Sequence, residues 1–197
     1  MEYWYLWLIL ALLFIVTILV MTKASKALQL HNNEKNDTIE QLKKLKALKD
    51  EFINLTKEKA EGEDAPRLFE GVMAVFQYEI EKSEDAEKLF SEYKAAKKAV
   101  YTISYIIEDG EKELSNFFKR NGEPLVSNAE KALSIIGEAS LADIAKEEFS
   151  MFDENNEDIS IDNEKLKELD EKFLKDFDKE KIMKEIKELI VSNINEF

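Results

Sequence analysis

The sequence predicts an all-α protein built as a single N-terminal transmembrane helix, a short helical stalk and a multi-helix globular domain. Three observations predict it. The run from Tyr3 to Met21 holds one polar residue, Thr17. The chain has only 5 Gly and 2 Pro in 197 residues, which leaves few sites for turns. Beyond residue 40, apolar residues recur at steps of three and four, and no stretch alternates as a half-buried strand would.

The first element is the expected anchor, residues 1–22. At ~1.5 Å rise per residue the apolar run covers about 28 Å, close to the ~30 Å hydrocarbon core of a bilayer. Tyr3, Trp4, Tyr5 and Trp7 gather at one end, where amphipathic rings suit the interface. A cleaved signal peptide is the rival reading, with small residues at Ser25 and Ala27. The apolar run is too long for that, and no Lys or Arg precedes it. Glu2 lies before the run and Lys23 and Lys26 lie after it. The bias of cationic residues toward the cytoplasm therefore places the C-terminal domain inside.

Residues 23–62 form the expected stalk. Leu45, Leu48, Phe52 and Leu55 alternate steps of three and four, two heptads of a coiled-coil seam. Two readings stay open: one amphipathic helix packed on its own domain, or a short coiled coil that makes a homo-oligomer. Gly62 and Pro66 punctuate the expected boundary, and Asp64 can cap the helix that follows.

The domain, residues 63–197, reads as helices throughout. Leu68, Phe69, Val72, Val75, Phe76 and Ile80 mark one apolar face. Ser83 can cap the next helix, which is expected to run to about Glu108. Asp109-Gly110 breaks it, and Leu114, Phe117 and Phe118 form the apolar face of a short helix. Asn121-Gly122 offers a left-handed C-cap, and Pro124 forbids continuation. The stretches 127–130 and 140–143 each place a carboxylate three residues after a serine, the capping-box pattern. Gly137 ends the helix between them. Leu141, Ile144, Ala145, Phe149 and Phe152 line the next helix, and two amphipathic helices close the chain.

Composition excludes several chemistries. There is no cysteine, so disulfides, thiolate metal sites and cysteine nucleophiles are absent, and His31 is the one histidine. Multi-histidine zinc sites and Ser-His-Asp triads therefore have no histidine to draw on. The acidic stretch 153–164 has some calcium-loop spacing, but Asp158 stands where the sharp turn needs Gly. No catalytic residue, cofactor or metal is expected.

The order of pieces from Asp109 onward is also familiar. An apolar helix ends in Asp109-Gly110. Leu114, then Asn116 and the doublet Phe117-Phe118, then Asn121-Gly122 follow. Next come an Ala/Leu helix that breaks at Gly137 and, after an acidic loop, the stretch KLKELDEKF, residues 165–173. This resembles the DNA-mimic protein 19 family over about residues 95–197. The resemblance implies an all-helical domain, and an acidic surface that occupies the basic site of a DNA-binding regulator.

The charge suits that implication. The formal net charge is −14, and residues 138–197 hold 19 acids against 9 lysines. Asp143, Glu147, Glu148, Asp153, Glu154, Glu157 and Asp158 are the candidate contact residues. Carboxylates three or four apart on a helix lie ~5–6 Å from each other, a spacing comparable to neighbouring phosphates. Direct nucleic-acid binding is disfavoured by the sign of the charge. The expected function is a membrane-anchored, cytoplasm-facing acidic module that binds protein, with inhibition of a basic DNA-binding protein as its specific form. The alternative is a membrane-tethered scaffolding protein that oligomerises through its stalk.

Overall fold

The computed structural model describes residues 38–152 and 163–197. The expected anchor, the orientation drawn from Lys23 and Lys26, and most of the acidic loop lie outside them. Among the described residues the fold is all-α, with ten helices, a closing 3₁₀ turn and no strand. No helix among them is long and apolar enough to cross a membrane.

The chain divides into two compact units, Met1–Ala47 and Leu48–Phe197. Helix α1 covers residues 38–52, and between residues 38 and 47 every side chain but the half-buried Leu45 is exposed. The second unit begins before the boundary expected at Gly62. Phe52 is buried and Leu48 and Leu55 pack on the same core. The reason is Gly71 on α3. A Cβ there would lie 2.4 Å from the Phe52 ring, so only glycine lets that ring settle on the helix backbone. The expected seam is thus spent on the chain's own core from Leu48 onward.

The elements of the second unit follow in order: α2 (Lys57–Gly62), α3 (Ala65–Lys82), α4 (Ala86–Glu92), α5 (Ala95–Gly110), α6 (Leu114–Arg120), α7 (Leu125–Ile135), α8 (Ala139–Phe152), α9 (Asn163–Asp176) and α10 (Lys179–Ser192). Helix α5 is the hub and packs against α3, α6, α7 and α10. Its buried residues include Ala96, Ala99, Val100, Ile103, Ile106 and Ile107, and also Tyr101, Thr102 and Ser104, so nearly all its sides are enclosed. An aromatic cluster of Phe76, Phe90, Tyr93, Tyr101 and Phe197 closes one end. Lys97 lies over the Tyr93 ring at 4.5 Å and pairs with Glu79 at 2.9 Å.

Several helix ends follow the sequence. Asp64 accepts the backbone N–H of Arg67 at 2.9 Å, the expected N-cap. Gly137 has φ +89°, Glu138 N–H donates to Leu133 O and Gly137 N–H to Ser134 O, a complete Schellman end to α7.

Others differ. The helix expected from Ser83 to Glu108 is two. Ser83 closes α3 by donating its N–H to Glu79 O and Ile80 O, and Asp85 caps α4 through Lys88 N–H at 2.9 Å. The chain then turns extended at Tyr93 and Lys94. The left-handed cap at Asn121-Gly122 does not form. Asn121 has φ −113°, and Gly137 is the one residue with positive φ among the described residues. Ser127 and Ser140 sit inside helices, not at caps. Pro124 starts α7 one turn early, and Ser127 Oγ bonds Glu123; Ser140 Oγ reaches Asp176 at 2.7 Å.

Candidate functional site

The phenylalanine doublet is structural. Phe117 and Phe118 are buried, the latter stacked on Phe152 at 5.7 Å with planes 8° apart. The polar residues of the same motif hold its ends. Asp109 accepts from Arg120 Nη1 and from Asn121 Nδ2, both at 2.9 Å, and Asn121 also donates to Phe117 O. Those two bonds hold the Asp109 carboxyl below its usual pKa although partial burial pushes the other way. Gly110 is buried, with Phe117 Cβ 3.4 Å from where its own Cβ would stand, and Leu114 is buried beside it. Asn116 donates to Glu113, and Gly122 is exposed.

Helix α6 has no side chain of its own to cap its N-terminus. Asp170 on α9 does so from fifty-five residues away. Its Oδ1 accepts Ser115 N–H at 2.9 Å and its Oδ2 accepts Ser115 Oγ–H at 2.8 Å. Lys119 Nζ donates to the same Ser115 Oγ at 3.0 Å. The serine hydroxyl is therefore fully buried, gives its proton to a carboxylate and accepts from an ammonium. That geometry pins α6 to α9. The cleft beside it, about 360 Å³, is open and lined by Lys112, Lys119, Asn163, Lys167 and Asp170.

Glu148 on α8 lies against this junction. It is fully buried, and neither carboxylate oxygen has a hydrogen-bond partner. Burial pushes its pKa up to about 8, the nearby Asp170 charge adds to the rise, and Lys119 opposes it. A second acidic contact joins α8 to α10. Burial and the adjacent Glu138 carboxyl raise Glu185, while Lys181 pulls it down.

These placements correct the expected contact surface. Glu148 faces the core and cannot meet a partner. Its position completes the stripe of Leu141, Ile144 and Ala145 at i+7, a signal the run of acids around it hides. Asp143 and Glu147 are exposed on α8, but Glu147 pairs with Lys165 at 2.6 Å and the neighbouring Lys146 with Glu130 at 3.0 Å. Asp153, Glu154, Glu157 and Asp158 lie outside the described residues. The structure brings together another acidic group. Glu81, Glu84, Asp85, Glu87 and Glu92 are all exposed around the turn from α3 to α4. The sequence signal for it is six acids against two lysines over residues 79–92. No group of His, Asp or Glu among the described residues is arranged to hold a metal ion.

The class that fold and surface define is an acidic all-α domain. A scan against protein-family models, a search of curated proteins and a search of solved structures each find no match to the chain.

Proposed function

We propose that the protein is a membrane-attached module that presents its acidic helical domain, in the cytoplasm, to a basic protein surface. The observation that carries this reading is the charge of residues 48–197, 38 acids against 22 cations, with exposed acids clustered at the α3–α4 turn and at Asp143 and Glu147. Such a surface steers a cationic partner by long-range attraction. Membrane attachment is supported by the apolar run Tyr3–Met21. Occupation of a DNA-binding regulator's basic site is the specific form that the family resemblance suggests. Pairing of Glu147 with Lys165 and burial of Glu148 leave α8 with few carboxylates for a phosphate-like row. The α3–α4 turn is the better candidate.

The test is to capture partners from the host's lysate on the detergent-solubilised full chain, at about 0.1 M and 1 M salt, where the Debye length falls from ~10 to ~3 Å. Binding that is lost at high salt and displaced by duplex DNA supports mimicry. Salt-sensitive binding indifferent to DNA supports an acidic adaptor. Binding unchanged by salt rejects the acidic surface.

A further inference from the structure

We propose that the first half of α1 lies on an anionic lipid surface, with Ile39 and Leu42 entering the headgroup boundary and Lys43 and Lys46 meeting the lipid phosphates. Ile39 and Leu42 are 41% and 59% exposed, two of the four large apolar side chains left in solvent among the described residues. Lys43 and Lys46 are exposed on the same helix. Positions 39, 42, 43 and 46 follow the i, i+3, i+4, i+7 spacing that defines one helical face. Gln41, also exposed, falls on the far side of that face. Two apolar side chains flanked by two long cationic stems match the boundary of a bilayer, where the stems reach outward to phosphate while the apolar groups sink.

Charge and chain length select the occupant. Residues 1–47 carry six lysines and four acids, whereas the rest of the chain is strongly acidic. A net positive balance is thus confined to the part that flanks and follows the apolar run. Seventeen residues separate Met21 from Ile39, and a chain of that length reaches at most ~60 Å. A helix tethered within that range meets the bilayer surface more often than any soluble partner. The acidic domain of a second copy also offers negative charge, but it offers no apolar layer for Ile39 and Leu42. The inference takes its location from the membrane attachment proposed above and its chemistry from the described helix.

The experiment uses the full chain, reconstituted in vesicles of phosphatidylcholine alone or with phosphatidylglycerol. The natural chain has no cysteine, so Leu42→Cys, and Gln41→Cys as control, each accept one environment-sensitive fluorophore. Flotation of the vesicles scores the attachment; the label scores the helix face. The expected result is a blue shift at position 42 in anionic vesicles, little shift at position 41, and reversal at 1 M salt. Lys43→Gln with Lys46→Gln should cut the anionic preference by about twenty-five-fold, since each lysine near such a surface contributes roughly fivefold. A chain that floats with no shift at position 42 overturns this proposal and leaves the attachment standing. Equal shifts in both lipids overturn it, as does a shift that appears without vesicles when the protein is concentrated, which reports a second copy. No flotation and no shift overturn both readings.

Discussion

Glu196 accepts the backbone N–H of Ala96 at 3.0 Å, so a carboxylate one hundred residues away caps the central helix. Lys94, at the N-cap position of α5, makes no side-chain bond there. Glu196 supplies the missing acceptor and places negative charge at the positive end of the helix dipole. Asp170 does the same for α6 through Ser115. In both cases an acid of the C-terminal segment closes a helix of the core.

Loss of the Glu196 carboxylate should therefore act like loss of a helix cap. Glu196→Ala is expected to cost about 1–2 kcal/mol of unfolding free energy in urea titration. Glu196→Gln keeps an acceptor and should cost less. Equal stability of Glu196→Ala and the parent would show that water serves the α5 N-terminus equally well.

Gly71 supports a second prediction. Any Cβ at this position meets the Phe52 ring, and Phe52 is what fastens the end of α1 to the domain. Gly71→Ala removes a flexible helical residue, which alone would stabilise by about 1 kcal/mol. The steric term is larger, because overpacking a filled core typically costs ~1–3 kcal/mol. Net destabilisation is expected, and Phe52→Ala combined with Gly71→Ala should recover part of it relative to the sum of the single changes. A more stable Gly71→Ala chain would mean that Phe52 vacates the site at no cost.

The phenylalanine doublet gives the third. Phe117 is fully buried, and Phe118 is nearly so against Phe149 and Phe152. Truncating either to Ala should cost about 3–5 kcal/mol, a large part of a domain's ~5–15 kcal/mol. Single variants that unfold within ~0.5 kcal/mol of the parent in the same titration would contradict the packing seen here.

Local rules made part of this fold legible, and distance hid the rest. Asp64 and Gly137 act within their own helix ends, so residue type and position sufficed. The faces of α3, α5 and α8 followed from periodicity. The break between α4 and α5 was hidden because Tyr93 and Lys94 carry no backbone signal; Tyr93 is held there by its hydroxyl on Glu79 at 2.6 Å. Asp170 and Glu196 read as two more acids in an acidic tail, since nothing local marks a carboxylate that caps a distant helix. The doublet's role was legible, but the bonds from Asp109 to Arg120 and Asn121 needed the turn to be folded.

The buried Glu148 makes stability depend on pH in a direction opposite to ordinary surface carboxylates. Its pKa stands at about 8 in the folded chain because burial and Asp170 disfavour the charge, against 4.5 for the free group. A raised acid pKa means that the folded state holds the proton more tightly than the unfolded state. Its contribution is therefore most favourable below about 4.5, falls as pH rises from there to about 8, and is flat above. Within that window the loss is at most about 1.4 kcal/mol per pH unit. Glu148→Gln keeps the shape without the ionisation. The stability of this variant relative to the parent should therefore grow between pH 5 and 8 and level off at higher pH, as read by urea unfolding at each pH. Asp170→Asn removes one of the two causes of the rise, so the folded pKa falls, the loss still begins near 4.5 but levels off at a lower pH, and its total is smaller, while the cap on α6 weakens. A difference between Glu148→Gln and the parent that does not change with pH would mean that the carboxyl is hydrated or paired, and that α6, α8 and α9 part around it.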